Sequence, residues 1–487
     1  MATLRHCRFS CCYPLFSDKV RSMLASCLLT AHARSLTIGL LALACIVGCG
    51  KPSSSDPTPA AESTAPTDAG NATAKTPAAA TAAPAAEPPP AIPPTFELTA
   101  DALLAARLSP EECQQGWVRL FDGQTFFGWQ MTDAANWRIE DGTIVVDGGE
   151  KSFLATSSLW DNYELELQFK APAATNSGIF LRTPLSPMSP ETDCYELNIA
   201  PTDNPFPTGS LVGRHKVEPA EIGSLDPEQW HTYQVRVEDQ TVSVRLNGKE
   251  ICQYEAPTRL PAGRVSLQHN EGRVAFRDIR IRPLGLTPLL AGDDLTTQWK
   301  QYPEYDGEFT IDDEGNLSIK GGSGQLESRR QFGDFAMLAR CRTNAKDLNS
   351  GIFFRCIPGE KMNGYECQIS NATVEGNPLK PGDAGTGGIF RRQPARIVAA
   401  EDQTWFTLML VANGPTMTAW VNGLQVSDWT DQREPDPNPR RGLRLEPGTL
   451  MLQAHDPTTD LSFSDISVVS IGEAPAGTAT EESADEE

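Results

Sequence analysis

Two segments of the chain carry an arginine, a glutamate and a side-chain amide at matched spacing. Asn349-Ser350-Gly351-Ile352-Phe353-Phe354-Arg355 is followed about ten residues later by Tyr365-Glu366-Cys367-Gln368-Ile369. Asn176-Ser177-Gly178-Ile179-Phe180-Leu181-Arg182 is followed in the same way by Tyr195-Glu196-Leu197-Asn198-Ile199. An imidazole lies downstream of each, in Leu267-Gln268-His269-Asn270 and in Leu452-Gln453-Ala454-His455-Asp456. A carboxylate can take a proton, a guanidinium can hold developing negative charge, and an imidazole can move a proton either way. The candidate catalytic groups are therefore Glu366, Arg355 and His455 in one set and Glu196, Arg182 and His269 in the other. Gln368, Asn198, Tyr365 and Asp456 stand beside them as candidate substrate contacts.

Strands must position these groups. At the strand period Ile352 and Phe354 share one face and Phe353 and Arg355 the other. Tyr365, Cys367 and Ile369 likewise oppose Glu366 and Gln368, and Tyr195, Leu197 and Ile199 oppose Glu196 and Asn198. Each set predicts a sheet with one face buried in a sandwich and a polar face carrying Arg, Glu and an amide. The same ion types on adjacent strands are also what a plain cross-strand ion pair would show, and His455-Asp456 is equally what a turn cap would show. Trp230, Trp405 and Trp420 fit a core better than a sugar platform.

The landmarks recur in order along the 487 residues: Trp405 answers Trp230, Val421-Asn422-Gly423 answers Leu246-Asn247-Gly248, and Phe463-Ser464-Asp465-Ile466 answers Phe276-Arg277-Asp278-Ile279. One domain is written twice. A formal charge of −22, without clustered Lys and Arg, excludes a nucleic-acid surface. The 12 cysteines form no Cys-x-x-Cys pair in the folded part, which argues against a zinc site. No cofactor is expected, and a divalent metal stays open. Cys356 and Cys367 leave two outcomes open, a disulfide in an oxidising compartment or buried free thiols.

In chain order, residues 1–49 read as a signal peptide, with an apolar run from Leu36 to Gly48 too short to span a bilayer as a helix. It ends in Ile46-Val47-Gly48-Cys49, which resembles the lipobox of bacterial lipoproteins and makes Cys49 the expected lipidation site. Residues 50–96 are Ala, Pro, Thr, Ser and Glu, a disordered spacer able to reach on the order of 100 Å. Thr99 to Gln115 reads as one or two short helices, the second opened by the cap Ser109-Pro110-Glu111-Glu112; alternating runs and Asn-Gly turns follow. The spacing predicts an all-β chain of two sandwiches, 97–286 with the short helices and 287–472, then an acidic tail, 473–487.

Taken together, Leu120-Phe121-Asp122-Gly123, the two Asn-Ser-Gly-Ile-Phe strands, the two Tyr-Glu strands, Thr386-Gly387-Gly388-Ile389-Phe390 and the Leu-Gln-His closing segment resemble the 3-keto-disaccharide hydrolase family, also called the domain of unknown function 1080 family. The resemblance runs from about Ser109 to Ile471 in two copies. It implies tandem concanavalin-A-like jelly rolls and cleavage of glycosides whose sugar is a ketone at carbon 3. Such a ketone acidifies the hydrogen at carbon 2, so a base, an enolate partner and a proton donor suffice. Only one carboxylate recurs on the polar face, unlike the pair of an ordinary glycosidase, and no Gly-x-Ser-x-Gly elbow occurs. The first copy has Asn198 in place of Gln, and Ala454 stands where the family usually has Gly. The second copy keeps Tyr-Glu-x-Gln, the Thr-Gly-Gly loop and Asn438-Pro439-Arg440-Arg441-Gly442-Leu443-Arg444, which favours it as the working site. The expected partners are a carbohydrate, as a 3-keto-glycoside, and a membrane reached through the lipid anchor of a periplasmic or cell-surface protein. The alternative expectation is a lectin-like, non-catalytic envelope lipoprotein.

Overall fold

The structure is a computed structural model that describes residues 98–290 and 294–472. The leader with Cys49, the spacer and the acidic tail lie outside the described residues.

Side-chain alternation builds the sheets. Tyr163–Lys170 and His231–Glu238 bury every second residue, the pattern of strands with one face on a core. Each repeat pairs an eight-stranded sheet with a five-stranded one, all antiparallel among the described strands. The five-stranded sheets carry the candidate residues. In the first repeat the strands are β1 (Trp129–Met131), β2 (Ser152–Thr156), β3 (Asn176–Thr183), β4 (Tyr195–Ile199) and β5 (Arg264–Glu271). In the second they are β6 (Trp299–Lys300), β7 (Gly324–Phe332), β8 (Ser350–Cys356), β9 (Tyr365–Ile369) and β10 (Gly448–Ala454). The spatial orders are β1-β2-β5-β3-β4 and β6-β7-β10-β8-β9, the same arrangement twice. These are two tandem concanavalin-A-like jelly-roll sandwiches.

Two short helices precede them, α1 (Ala100–Leu104) and α2 (Pro110–Gln114). Ser109 and Glu112 form the reciprocal capping box read from the sequence. Leu103 and Ala106 pack into the second core, while Glu112 pairs with Arg280 of the first sandwich. The sandwiches also touch directly. Leu338, Met409, Val411 and Trp420 of the second join the hydrophobic cluster of the first, and Trp160 meets Trp420 with ring centroids 5.9 Å apart.

Arg182 and Arg355 depart from the alternation reading. Leu181 and Arg182 stand against Val265 alone, because Phe180 pairs with Ser266 and Thr183 with Arg264. Phe354 and Arg355 stand against Leu450 in the same way. This extra residue is a β-bulge, with both arginines at φ 47°, and it turns their side chains off the outer face. Each is fully buried. Arg355 donates from Nε to Gly333 O at 3.0 Å, from Nη1 to Gly414 O at 2.6 Å and to Arg444 O at 3.3 Å, and from Nη2 to Asp334 at 2.6 Å. Arg182 bonds the carbonyls of Asp161, Asp239 and Leu260 and the side chain of Asn162. They gather loop carbonyls beneath the sheet and do not reach the outer face.

The same bulge separates the two thiols. Cys356 falls on the outer side with Phe353 and Met451, and Cys367 points into the core, so both are buried free thiols. Because a guanidinium's planar fork serves several carbonyls at once and an ammonium cannot, Arg355→Lys will lower the unfolding free energy by about 2–4 kcal/mol. Urea denaturation at neutral pH measures it.

Candidate functional site

The outer face of the second five-stranded sheet is laid out in rows. Glu366, Phe353, Met451 and Glu327 form one row across β9, β8, β10 and β7, and Gln368, Gly351, Gln453 and Gln325 form the next. Glu327 is satisfied by Thr449 Oγ1 at 2.7 Å, the Gly359 amide at 3.1 Å and the Tyr302 hydroxyl. The second row is not. Gln325 Nε2, Gln453 Oε1 and Gln368 Oε1 are buried without a hydrogen-bond partner, although such groups normally find one.

Gly351 explains how Glu366 lies. A Cβ at Gly351 would stand 2.6 Å from Glu366 Oε1, so the absent side chain leaves a slot over β8 that the carboxylate occupies. Glu366 lines a cavity of about 530 Å³ with Phe353, Tyr365, Phe390, Arg391, Arg392, Pro439, Arg440 and Gln453. Burial, reinforced by Asp383, pushes its pKa up to about 7, against the pull of Arg391 and Arg440.

Two loops wall the cavity. Residues 386–393 run along the free edge of β9, with Gly387 N bonding Gln368 O, Gln368 N bonding Gly388 O and Phe390 N bonding Glu366 O, each at 2.9 Å. This covers an edge that would otherwise present bare backbone and sets Arg391 and Arg392 at the rim. Residues 431–447 supply Arg440, whose Nη2 donates to Met362 O at 2.8 Å. That loop is anchored by Asp431, which accepts the Tyr365 hydroxyl at 2.8 Å and both arms of Arg433.

The candidate residues divide accordingly. Glu366 and Tyr365 line the cavity, Tyr365 through its ring since its hydroxyl is held by Asp431. Gln368 is in the adjacent row and donates to Asn349 Oδ1 at 2.7 Å. Arg355 is not brought to Glu366, for the reason given above. His455 stands just past β10, with Nδ1 2.8 Å from Asp456 and its amide bonded to Thr459 Oγ1. Asp456 also accepts from Thr458, so the pair caps a turn. The hydrogen bonds from Thr458 and His455 hold the Asp456 carboxyl down to about 2.

In the first repeat Ser177 Oγ donates to Gln268 O as Ser350 Oγ does to Gln453 O. Gln268 is thus the counterpart of Gln453, and His269 that of Ala454. His269 shares the inward side of Leu267 and is 3% exposed, and burial lowers its pKa. The two histidines are not equivalents. Arg182 is likewise sealed away from Glu196. Glu196 accepts from Gln268 Nε2 at 3.2 Å, and burial raises its pKa. Asn198 donates to Phe206 O, and its Oδ1 is buried without a partner. Phe153 occupies the position of Gln325 and meets Phe180 edge to face at 4.8 Å, leaving Glu196 9% exposed. The loop corresponding to 431–447 is residues 256–263, about half as long. Trp420 is core, while Trp230 and Trp405 lie half-buried under Arg277, at 4.1 Å, and under Arg340 and Arg342, at 4.8 Å.

Arg391, Arg392, Arg440, Phe390 and Gln453 are site residues that the strand reading did not single out. Their signal lay in the Thr-Gly-Gly and Asn-Pro-Arg-Arg segments, whose loops could not be aimed from periodicity. Among the described residues no group of three or more His, Cys, Asp or Glu side chains is arranged to hold a metal.

With the site in view, the chain can be placed. The 3-keto-alpha-glucoside-1,2-lyase-like domain family matches residues 116–282 and again 285–469, and the chain belongs to this family as two tandem copies. A 3-keto-disaccharide hydrolase of Bacteroides thetaiotaomicron is 35% identical over 77 residues, 13% of this chain and 27% of that protein. The chain therefore spans about a quarter of that relative's length. Similar solved structures include a protein described as a glycosyl hydrolase from Parabacteroides distasonis, with 23% identity over 37% of this chain and 99% of that one and a TM-score of 0.33. A carbohydrate binding module from Bacillus subtilis has 13% identity over 32% of this chain and 95% of that one, with a TM-score of 0.25.

Glu366 makes folding pH-dependent. Its folded pKa near 7 exceeds its value of 4.5 in the unfolded chain, so the native state binds the extra proton between these values. Stability from this group is fully present below about pH 4.5 and is lost as pH rises through about 7. Glu366→Gln will therefore stabilise the protein above pH 7 by up to about 3 kcal/mol and leave it nearly unchanged at pH 4. Denaturation midpoints of both proteins across pH 4–8 test this.

Proposed function

We propose that the second repeat is an enzyme that cleaves 3-keto-glycosides by elimination followed by hydration, with Glu366 as base. The observation that carries this is the Glu366 carboxylate, held over Gly351 without a hydrogen-bond donor among the described residues and facing a cavity rimmed by three guanidiniums. The family and the name of the Bacteroides relative support a glycosyl hydrolase-like or carbohydrate-binding function. The 3-keto substrate is the finer step taken here.

In this reading Glu366 takes the proton from carbon 2 of the keto-sugar, and the enolate oxygen on carbon 3 lies against the held guanidiniums of Arg392 and Arg440 rather than Arg355. The enolate reforms the ketone as the carbon-1 to oxygen bond breaks, leaving a double bond between carbons 1 and 2. The departing oxygen takes a proton from the neutral Glu366 acid. Water adding across the double bond gives the free 3-keto-sugar, so the net change is hydrolysis. A pKa near 7 suits one carboxyl that must first accept and then return a proton. Burial behind Phe353 and Phe390 strengthens every charge interaction in the cavity. Lipidation at Cys49 would tether the enzyme at the bacterial cell envelope.

Incubation of the full chain with a 3-keto-disaccharide tests the reading. Glu366→Gln will lower aglycone release by a factor of about 10²–10⁴ with an unchanged circular dichroism spectrum, and wild-type kcat/KM will fall about tenfold per pH unit below about 7. Turnover by the variant at the wild-type rate would remove Glu366 as base. Binding of both keto and unoxidised sugars without product would favour the lectin-like alternative.

A further inference from the structure

The rim arginines are not equally occupied. Arg392 donates to Arg440 O at 3.1 Å and Arg440 to Met362 O at 2.8 Å. Among the described residues Arg391 has no hydrogen-bond or ion-pair partner; its guanidinium lies 5.2 Å from the Phe390 ring centroid and its side chain is exposed at the cavity mouth.

Its backbone is in the left-handed region, at φ 58°, where a side chain is unfavourable and glycine is at ease. The first repeat has glycine there. Leu211 bridges Leu197 and His215 as Ile389 bridges Cys367 and Gln393, so Gly213, at φ 69°, is the counterpart of Arg391. Two copies of one loop thus share a conformation that suits glycine, and only the copy with the open cavity carries a guanidinium at that position, the first repeat's Arg214 standing where the second has Arg392. Strain kept at a cavity mouth points to a role there. Beneath it, Gln453 Oε1 is buried, unpartnered and at the cavity wall, an acceptor suited to a sugar hydroxyl.

We propose that the second repeat's site is built for a glycoside bearing an anionic group, such as the carboxylate of a uronic acid, with Arg391 as the residue that selects it. A planar guanidinium meets a carboxylate through two parallel hydrogen bonds, while Gln453 Oε1 accepts from a ring hydroxyl. The inference rests on the proposed function for the identity of the cavity as a sugar site, and it adds the charge of the substrate.

Two measurements on the full chain separate the claims. In calorimetry at low salt, methyl glucuronoside will bind at least about tenfold tighter than methyl glucoside, and the preference will shrink as salt rises. Arg391→Gly, the residue of the first repeat, will abolish the preference while the unfolding midpoint stays level or rises. Equal affinity for both sugars in the wild type, or a preference that survives Arg391→Gly, overturns the inference. In a parallel turnover assay, 3-keto-glucuronide will be cleaved with higher kcat/KM than the 3-keto-glucoside of the same aglycone. Equal turnover of the two overturns the anion inference alone, whereas turnover of neither overturns the proposed function and the anion inference with it.

Discussion

A half-buried carboxylate that no donor among the described residues bonds is the constraint on which the second repeat's site depends. Glu366 occupies the slot left by Gly351, and none of the amides of the neighbouring row bonds its carboxylate, although Gln325 Nε2 is itself left unpaired. A buried charge in that position is costly unless neutralised or met by opposite charge. The protein does both in part: the pKa moves to about 7, and Arg391 and Arg440 pull it back down. The rest of the site follows from holding that balance. The loops at 386–393 and 431–447 exist as walls because they bring guanidiniums to a rim from which water is partly excluded.

The first repeat shows the same sheet with the balance resolved otherwise. Glu196 finds a donor in Gln268, Phe153 stands where the second copy has Gln325, Gly213 where it has Arg391, and the loop that would supply Arg440 is short. Each change removes either an unpaired polar atom or a rim charge. The first copy thus lacks the rim charges of the second, while it keeps unpaired polar atoms of its own on the same face in Asn198 Oδ1 and Gln268 Oε1. Conflicts between local rules and structure gather where a site is held ready for a ligand.

Much of this was legible from residue order. Alternation in Tyr163–Lys170 and in Tyr365–Ile369, the Asn-Gly turns and the Ser109–Glu112 cap each rest on a short-range physical rule, and the folded chain obeys them. Glu366 and Gln368 fell on the outer face for the same reason. Arg355 and Arg182 did not, because a bulge adds one residue and reverses every parity argument beyond it; nothing local in Phe-Phe-Arg or Phe-Leu-Arg marks that insertion. His269 and His455 misled in a related way: similar tripeptides at a strand end sit one position apart in register. The rim arginines were beyond periodicity altogether, since loop direction is set by long-range contacts such as Tyr365 with Asp431.

One such contact ties the two copies into a single working unit. Asp122, from the Phe-Asp-Gly opening retained in the first repeat, accepts the amides of Gln124 and Thr125 and pairs with Arg396 at 2.8 Å. Arg396 also donates to Thr125 Oγ1 at 3.0 Å and to Gln425 O at 2.9 Å, and it lies 4.2 Å from the Phe127 ring centroid. It sits a few residues beyond Arg391 and Arg392 on the same loop. With both partners of the ion pair mostly buried, this contact is screened less by salt than a surface pair and is specific in geometry. A motif written in the first copy therefore anchors the segment that carries the rim charges of the second. The surface of one sandwich thus holds in place the loop from which the other presents its arginines.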